Sequence, residues 1–110
     1  MSRPTLRSKS EFQAVYHQGI RGSGNLVTLH LLRKAGAEEP KIGLTVSKKI
    51  GGAVSRNRLR RRLKEILAKA EIPDGCDLVV QAKPLASNGT FQELEQDVLG
   101  TLGKMTVNGN

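Results

Sequence analysis

Tryptophan is absent, and the aromatic residues number only three, Phe12, Tyr16 and Phe91. With 37% apolar residues in a chain of 110, the core must be small and shared among short elements, leaving no room for a second one. The single cysteine, Cys76, excludes an internal disulfide; it opens an apolar stretch, where the ordinary role is that of a small buried hydrophobe. There is neither an apolar leader nor an apolar segment of membrane-spanning length, so a cytoplasmic protein without membrane contact is expected. No spaced cluster of acids suggests a metal site. Glu93, Glu95 and Asp97 fall on the outside of an amphipathic helix and read as its solvated face.

Acidic residues are also missing from one particular place. Between Lys41 and Lys64 the chain carries nine basic residues, Lys41, Lys48, Lys49, Arg56, Arg58, Arg60, Arg61, Arg62 and Lys64, and no Asp or Glu. The net charge of +8 resides there, because all ten acids offset the other nine basic residues. A helix facing water ordinarily interleaves Glu with Lys at i,i+4 spacing. This stretch does not, which implies that an external polyanion completes the neutralisation.

The elements can be read in order. Ser8 and Ser10 offer overlapping N-cap signals, with Glu11 and Gln13 each three residues on. Phe12, Val15 and Tyr16 then define a short amphipathic helix that Gly19 ends. Arg21 to Asn25, rich in glycine, reads as irregular chain or a frayed edge strand. Leu26 to Arg33 alternates as a strand, with Val27, Leu29 and Leu31 on one face and Leu26, Thr28, His30 and Leu32 on the other. The turn Ala35–Pro40 has hairpin length, so this strand is expected to pair antiparallel with the next, Lys41 to Ser47, whose core face is Ile42, Leu44 and Val46. After Gly51-Gly52 a helix runs from about Val54 to Ala70 on the stripe Leu59, Leu63, Ile66, Leu67 and Ala70. Cys76 to Ala82 is a nearly continuous apolar strand, hence central. Thr90 and Glu93 form a capping box for a last helix with the stripe Phe91, Leu94, Val98, Leu99 and Leu102, and residues 106–110 are expected to be disordered. The order α-β-β-α-β-α, with room for an extra short strand near residues 21–25, predicts an α+β two-layer sandwich. A single domain over residues 1–110, ordered over about 6–104, is expected to carry the polyanion-binding stretch.

On the basic helix, a turn of 100° per residue from Leu59 puts Arg60 and Lys64 on one flank and Arg58, Arg62 and Lys69 on the other. Arg61 points straight out, and Arg56 lies at the mouth. Guanidinium groups grip phosphate as planar forks and stack on bases, whereas lysine offers a point charge. The helix N-terminus behind Gly51-Gly52 and Ser55 adds backbone donors and a positive dipole end, and Asn57 can read a base edge or a 2′-hydroxyl. These features favour folded RNA. A helix-turn-helix reader of DNA would put a second helix just before this one, where a strand stands instead. Two other classes share part of the pattern. A structural RNA-binding protein such as a ribosomal component differs only in its partner, and a stand-alone ribonuclease would need His17 and His30 as acid and base. Both histidines stand alone in ordinary contexts, and no catalytic residue is assigned.

The string Val46-Ser47-Lys48-Lys49-Ile50-Gly51-Gly52-Ala53-Val54-Ser55-Arg56-Asn57-Arg58-Leu59-Arg60-Arg61 resembles the signature of the bacterial ribonuclease P protein family, marked by an Arg-Asn-Arg core at the start of a basic helix. Leu6, Glu11, Phe12, Val15, Tyr16 and Gly19 are similar to the family's opening helix. Ile42-Gly43-Leu44 precedes the signature, and Asp77-Leu78-Val79-Val80 with Lys83-Pro84 follows it as in the family, so the likeness covers about residues 6–104.

This resemblance implies a fold like the second domain of ribosomal protein S5, with a left-handed β-α-β crossover that departs from the usual hand. It also implies an accessory role: the RNA subunit holds the Mg2+ ions and cuts the 5′ leader from precursor tRNA. The protein binds ribonuclease P RNA through Lys48, Lys49, Arg56, Asn57, Arg58, Arg60, Arg61, Arg62 and Lys64. Phe12, Tyr16 and His30 would line a cleft for the leader, His30 standing where the family often has an aromatic residue. No obligate protein partner is implied, and no basic tail follows Lys104.

Overall fold

The computed structural model describes residues 3–36 and 38–108. Helix α1 spans Lys9–Gln18 and is capped by Ser8 alone: Glu11 N–H donates to Ser8 Oγ at 3.2 Å, and Ser8 N–H donates back to Glu11 Oε1 at 3.1 Å. Gly19 ends it with a φ of −82°, so space rather than handedness demands glycine. A Cβ there would lie 2.5 Å from the Val15 carbonyl oxygen and 2.7 Å from that of Leu31. Strands β1 (Ile20–Ser23), β2 (Val27–Arg33) and β3 (Lys41–Thr45) follow, then a single 3-10 turn at Lys48–Ile50, helix α2 (Ala53–Lys69), strand β4 (Cys76–Ala82), a 3-10 segment at Pro84–Asn88, and helix α3 (Phe91–Asn108). The extra strand is therefore real. It pairs antiparallel with β2, Arg21 opposite His30.

The sheet order is β1-β2-β4-β3, with β4 antiparallel to β2 and parallel to β3. The expected β2–β3 hairpin does not form. Leu78, Val79 and Val80 are all fully buried, so β4 is apolar on both faces and takes the centre, between the two strands that precede it. The connection between β2 and β3 is tied to the entry of β4 instead of closing on itself: Lys34 N–H donates to Gly75 O and Gly75 N–H to Glu38 O, both at 2.7 Å. Ala37, within the turn expected over Ala35–Pro40, lies outside the described residues.

One sheet face carries the main core. Leu59, Leu63, Ile66 and Leu67 of α2 and Leu94, Val98, Leu102 and Met105 of α3 meet Leu29, Leu31, Ile42, Leu78 and Val80. On the other face Val15 of α1 meets Val79, Leu6 and Leu32, flanked by Phe12 and Tyr16. The two-layer expectation thus fits only the main core. Because Val79 and Leu32 need cover, α1 adds a partial third layer. Leu99 is 41% exposed, a correction to the α3 stripe: one residue beyond Val98 it is turned 100° off the buried line, which continues through Thr101 and Met105. The helix also runs on through residues 106–108, expected to be disordered; residues 109–110 lie outside the described residues.

Asp97 departs from the solvated face expected of it. Its carboxylate accepts from the backbone N–H groups of Asn25 (2.9 Å), Leu26 (2.9 Å) and Val27 (3.0 Å), and so holds the β1–β2 turn to α3. Cys76 is buried as expected, and that burial pushes its thiol pKa up. At the outer edge of β3, Ile42 N–H donates to Pro4 O and Leu6 N–H to Ile42 O, both at 2.9 Å. Arg3 reaches on to the end of α2, donating from Nε to Leu67 O at 2.7 Å and from Nη2 to Ala70 O.

The α1 cap makes the fold sensitive to acid. Hydrogen bonds from the Arg7 and Ser8 backbone, then the Lys41 ammonium at 3.4 Å, lower the Glu11 carboxyl from 4.5 to about 2. A depressed carboxyl contributes stability above its unfolded pKa and loses that contribution as pH falls through the folded value. Docking of α1 should therefore weaken between pH 4.5 and about 2. Emission from Tyr16, the only tyrosine in a chain without tryptophan, reports the change, and Glu11→Gln should remove this part of the pH dependence.

Candidate nucleic-acid interface

The approach to α2 is built to leave its first turn open. Gly51 has a φ of +149°, a conformation that suits glycine, and Gly52 serves as N-cap without any side-chain hydrogen bond. No acid stands in the first turn, so the leading N–H groups and the positive end of a 17-residue helix face outward together.

Around that terminus the basic residues gather as the wheel predicts. Lys48 and Lys49 are exposed on the preceding 3-10 turn; Asn57, Arg58, Arg61 and Lys64 are exposed on α2; Arg56, Arg60 and Arg62 are half-buried. Among the described residues the ion pairs are Lys34–Asp77 and Lys41–Glu11, each at 3.4 Å. Lys41, alone of the nine cations in the acid-free stretch, is thus answered by a carboxylate, which folding brings in from α1. Arg60 Nη1 donates to Asn57 Oδ1 at 3.3 Å, and Arg62 Nη1 donates to Gly89 O at 3.3 Å, which ties α2 to the chain entering α3. Arg56 Nε is buried without a hydrogen-bond partner among the described residues, which leaves the guanidinium unanchored on that side.

The three expected cleft residues share the sheet face that α1 covers, Phe12 and Tyr16 packing against the Leu6, Val15 and Val79 cluster and His30 against Tyr16. Tyr16 and His30 meet edge to face, ring centres 4.8 Å apart and planes at 86°. Tyr16 Oη and Thr45 Oγ1 are 3.0 Å apart, and His30 Nε2 donates to Gln81 Oε1 at 2.6 Å. Thr28, Gln81 and Thr45 are neighbours across β2, β4 and β3, so a polar row borders the two rings. The sequence pattern put Thr28 and His30 on this face. Thr45 and Gln81 were missed, although alternation from Leu44 and Val80 would have placed them there.

Phe12 lies one turn earlier on α1, over the outer strand of the same sheet face. Its ring lies on Gly43 of β3, where an added Cβ would be 2.6 Å from Cε1. Beyond it a groove of about 310 Å3 crosses the outer edge of β3, with Phe12 and Leu6 on one wall and Arg60, Lys64 and Ala68 on the other. The Arg60–Lys64 flank of the basic helix therefore faces α1.

A model of the family described as Ribonuclease P matches residues 2–106. The ribonuclease P protein component of Acidothermus cellulolyticus is 38% identical over 112 aligned residues, covering 99% of this chain and 93% of its own. That of Brevibacillus brevis is 36% identical over 104, covering 93% and 82%. In fold, the chain superposes on the Staphylococcus aureus RNase P protein with a TM-score of 0.84, at 24% identity and covering 94% of this chain and 95% of that one. It superposes on the Thermotoga maritima RNase P protein with a TM-score of 0.81, at 24% identity and covering 93% and 97%.

Proposed function

The chain belongs to the ribonuclease P protein family, and from that membership we propose that its two residue clusters divide the binding work of the ribonucleoprotein. It is the protein subunit of an endoribonuclease that acts with ribonuclease P RNA to remove the 5′ leader of precursor tRNA. In the proposed division, Lys48, Lys49, Arg56, Asn57, Arg58, Arg60, Arg61, Arg62 and Lys64 bind the RNA subunit. Phe12, Tyr16 and His30 receive the single-stranded leader. One observation carries this reading: among the described residues, no carboxylate forms an ion pair with any cation from Lys48 to Lys64.

The chemistry is one of positioning and charge. Arg58 and Arg61 project into solvent as forks that fit phosphate oxygens, while the uncapped α2 N-terminus offers backbone donors beside them. Tyr16 and His30 present ring edges and faces beside the polar row of Thr28, Gln81 and Thr45, a surface suited to unstacked bases.

The family's endonuclease activity is metal-dependent, and we assign the Mg2+ mainly to the RNA subunit. No helix among the described residues is long and apolar enough to cross a membrane, and a tRNA-processing partner points to the cytoplasm. We also propose that residues 1–110 form one domain and that the β3-α2-β4 crossover is left-handed, as in the second domain of ribosomal protein S5. Agreement in fold with the two solved relatives supports that topology.

The test is reconstitution. Added to transcribed ribonuclease P RNA at low magnesium, the chain should restore cleavage of precursor tRNA, whereas the chain without RNA should cleave nothing at any magnesium concentration. Phe12→Ala should narrow the preference for precursor over mature tRNA and leave the salt dependence of RNA-subunit binding unchanged. Turnover by the protein alone, or preferential capture of ribosomal RNA, contradicts the reading.

A further inference from the structure

Strand β1 ends the sheet at the opposite side from β3, and among the described residues no strand stands beyond it. In an antiparallel pair, facing residues alternate between those that exchange backbone hydrogen bonds and those whose N–H and C=O turn outward. Gly24 N–H donates to Val27 O at 2.8 Å, which sets the phase: Gly22 and Ile20 bond inward to β2, while Arg21 and Ser23 turn their backbone groups out. Among the described residues none of those four outward groups has a partner.

Alongside this edge, between β1 and α3, lies a groove of about 630 Å3. A Cβ on Gly22 would come within 2.5 Å of Met105 Sδ, so α3 is seated directly against the strand at that point. Over Gly100, by contrast, a Cβ would meet nothing within 4 Å, which leaves room for a side chain brought in from outside. Because Gly22 faces α3, Arg21 faces the other side of the sheet, opposite His30. Three cations therefore surround the edge: Lys104 on α3, and Arg21 and Lys83 on the other face, where Lys83 Nζ donates to Ser23 Oγ at 2.7 Å. The carboxylate that lines the groove, Asp97, is already committed to three backbone N–H groups.

Free donors and acceptors alternating along an edge suit another strand, which carries the partners of both at the same spacing. RNA suits it less: its phosphates would answer the cations but meet the free carbonyl oxygens with like charge. A second copy of this chain would set Arg21 and Lys104 of one molecule beside those of the other.

We propose that the β1 edge takes up a short, extended, acidic peptide of a partner protein as a fifth strand. A residue opposite Gly22 points its side chain over Gly100, against the exposed Ile20, and its neighbours opposite Arg21 and Ser23 point theirs toward Arg21 and Lys83. The occupant is thus a segment that alternates Asp or Glu with a compact apolar residue. It docks at the far edge of the sheet from the groove lined by Arg60 and Lys64, so a partner can attach while α2 holds RNA.

The probe is a fluorescein-labelled hexapeptide alternating Glu with Val, titrated against the full chain. At saturation, amide exchange of Arg21 and Ser23 should slow about tenfold or more, while that of Gly22, whose N–H already bonds to β2, should not change. Replacing Glu by Lys in the probe, or N-methylating its Glu residues, should weaken binding about tenfold. Gly100→Glu fills the groove at an exposed helical position, and Ser23→Pro removes one outward N–H. Each should lower peptide affinity about tenfold and leave affinity for ribonuclease P RNA within about twofold. Gly100→Glu should also keep the wild-type melting temperature, so its result stands even where the proline variant folds poorly. Unchanged exchange at Arg21 and Ser23, or equal binding by the N-methylated probe, overturns the proposal. So does displacement of the probe by an equal concentration of single-stranded oligouridylate, which would make the groove an RNA site. Protection that rises with chain concentration alone, without peptide, overturns it in favour of a second copy.

Discussion

Replacing Arg56, Arg58 and Arg60 together with glutamine should weaken binding to ribonuclease P RNA by about two orders of magnitude and lower the slope of log affinity against log salt by about two to three. Each phosphate contact contributes roughly 0.7–0.9 to that slope, because each releases condensed counterion. The fold should scarcely notice. Glutamine keeps helix propensity, and none of the three arginines has a carboxylate partner that the change would leave unpaired among the described residues. Isotherms at four or five salt concentrations, beside a melting curve, separate the two effects. An unchanged slope would remove α2 from the interface. A collapsed melting temperature would show instead that the arginines hold the fold.

Asp97→Ala should do the reverse, costing about 3 kcal/mol of stability and leaving the salt slope at its wild-type value. Three backbone N–H groups lose a charged acceptor, two of them, on Leu26 and Val27, partly buried at the start of β2. In a domain of this size about 3 kcal/mol lowers Tm by roughly 12–20 °C. Asp97→Asn, which keeps one acceptor oxygen, should recover part of the loss. A change of less than about 3 °C for the alanine variant would show that water replaces the carboxylate at little cost.

Asp97 also marks where the sequence stopped being informative. Amphipathic spacing showed that it lay off the apolar stripe of α3 and said nothing of the turn 70 residues earlier that would meet it. The legible parts were those governed by local chemistry: the Ser8 and Thr90 capping boxes, the α2 stripe, the central apolar strand, and the crowd of cations ahead of and along α2. Strand order was not legible. Hairpin length between β2 and β3 suggested a local pairing, but the burial requirement of β4 is a property of the whole sheet. The same distinction divides the candidate site. Its charge could be counted from the sequence, whereas the contacts of Phe12 with Gly43 and of Tyr16 with Thr45 depend on how α1 crosses β3, which no periodicity reveals.

The position of β4 has a consequence for synthesis. Emerging from the ribosome, the first 75 residues contain three strands of which only β1 and β2 can zip together; β3 must wait, because its partner has not yet been translated. Throughout that interval α2, already made, has no completed sheet on which to lay its leucines. Translation of seven residues, Cys76–Ala82, then supplies the missing neighbour of both β2 and β3 at once, and the cationic helix gains its seat. A nascent chain halted before this point would expose the polyanion-seeking segment without its scaffold; one released after it can close the sheet in a single step.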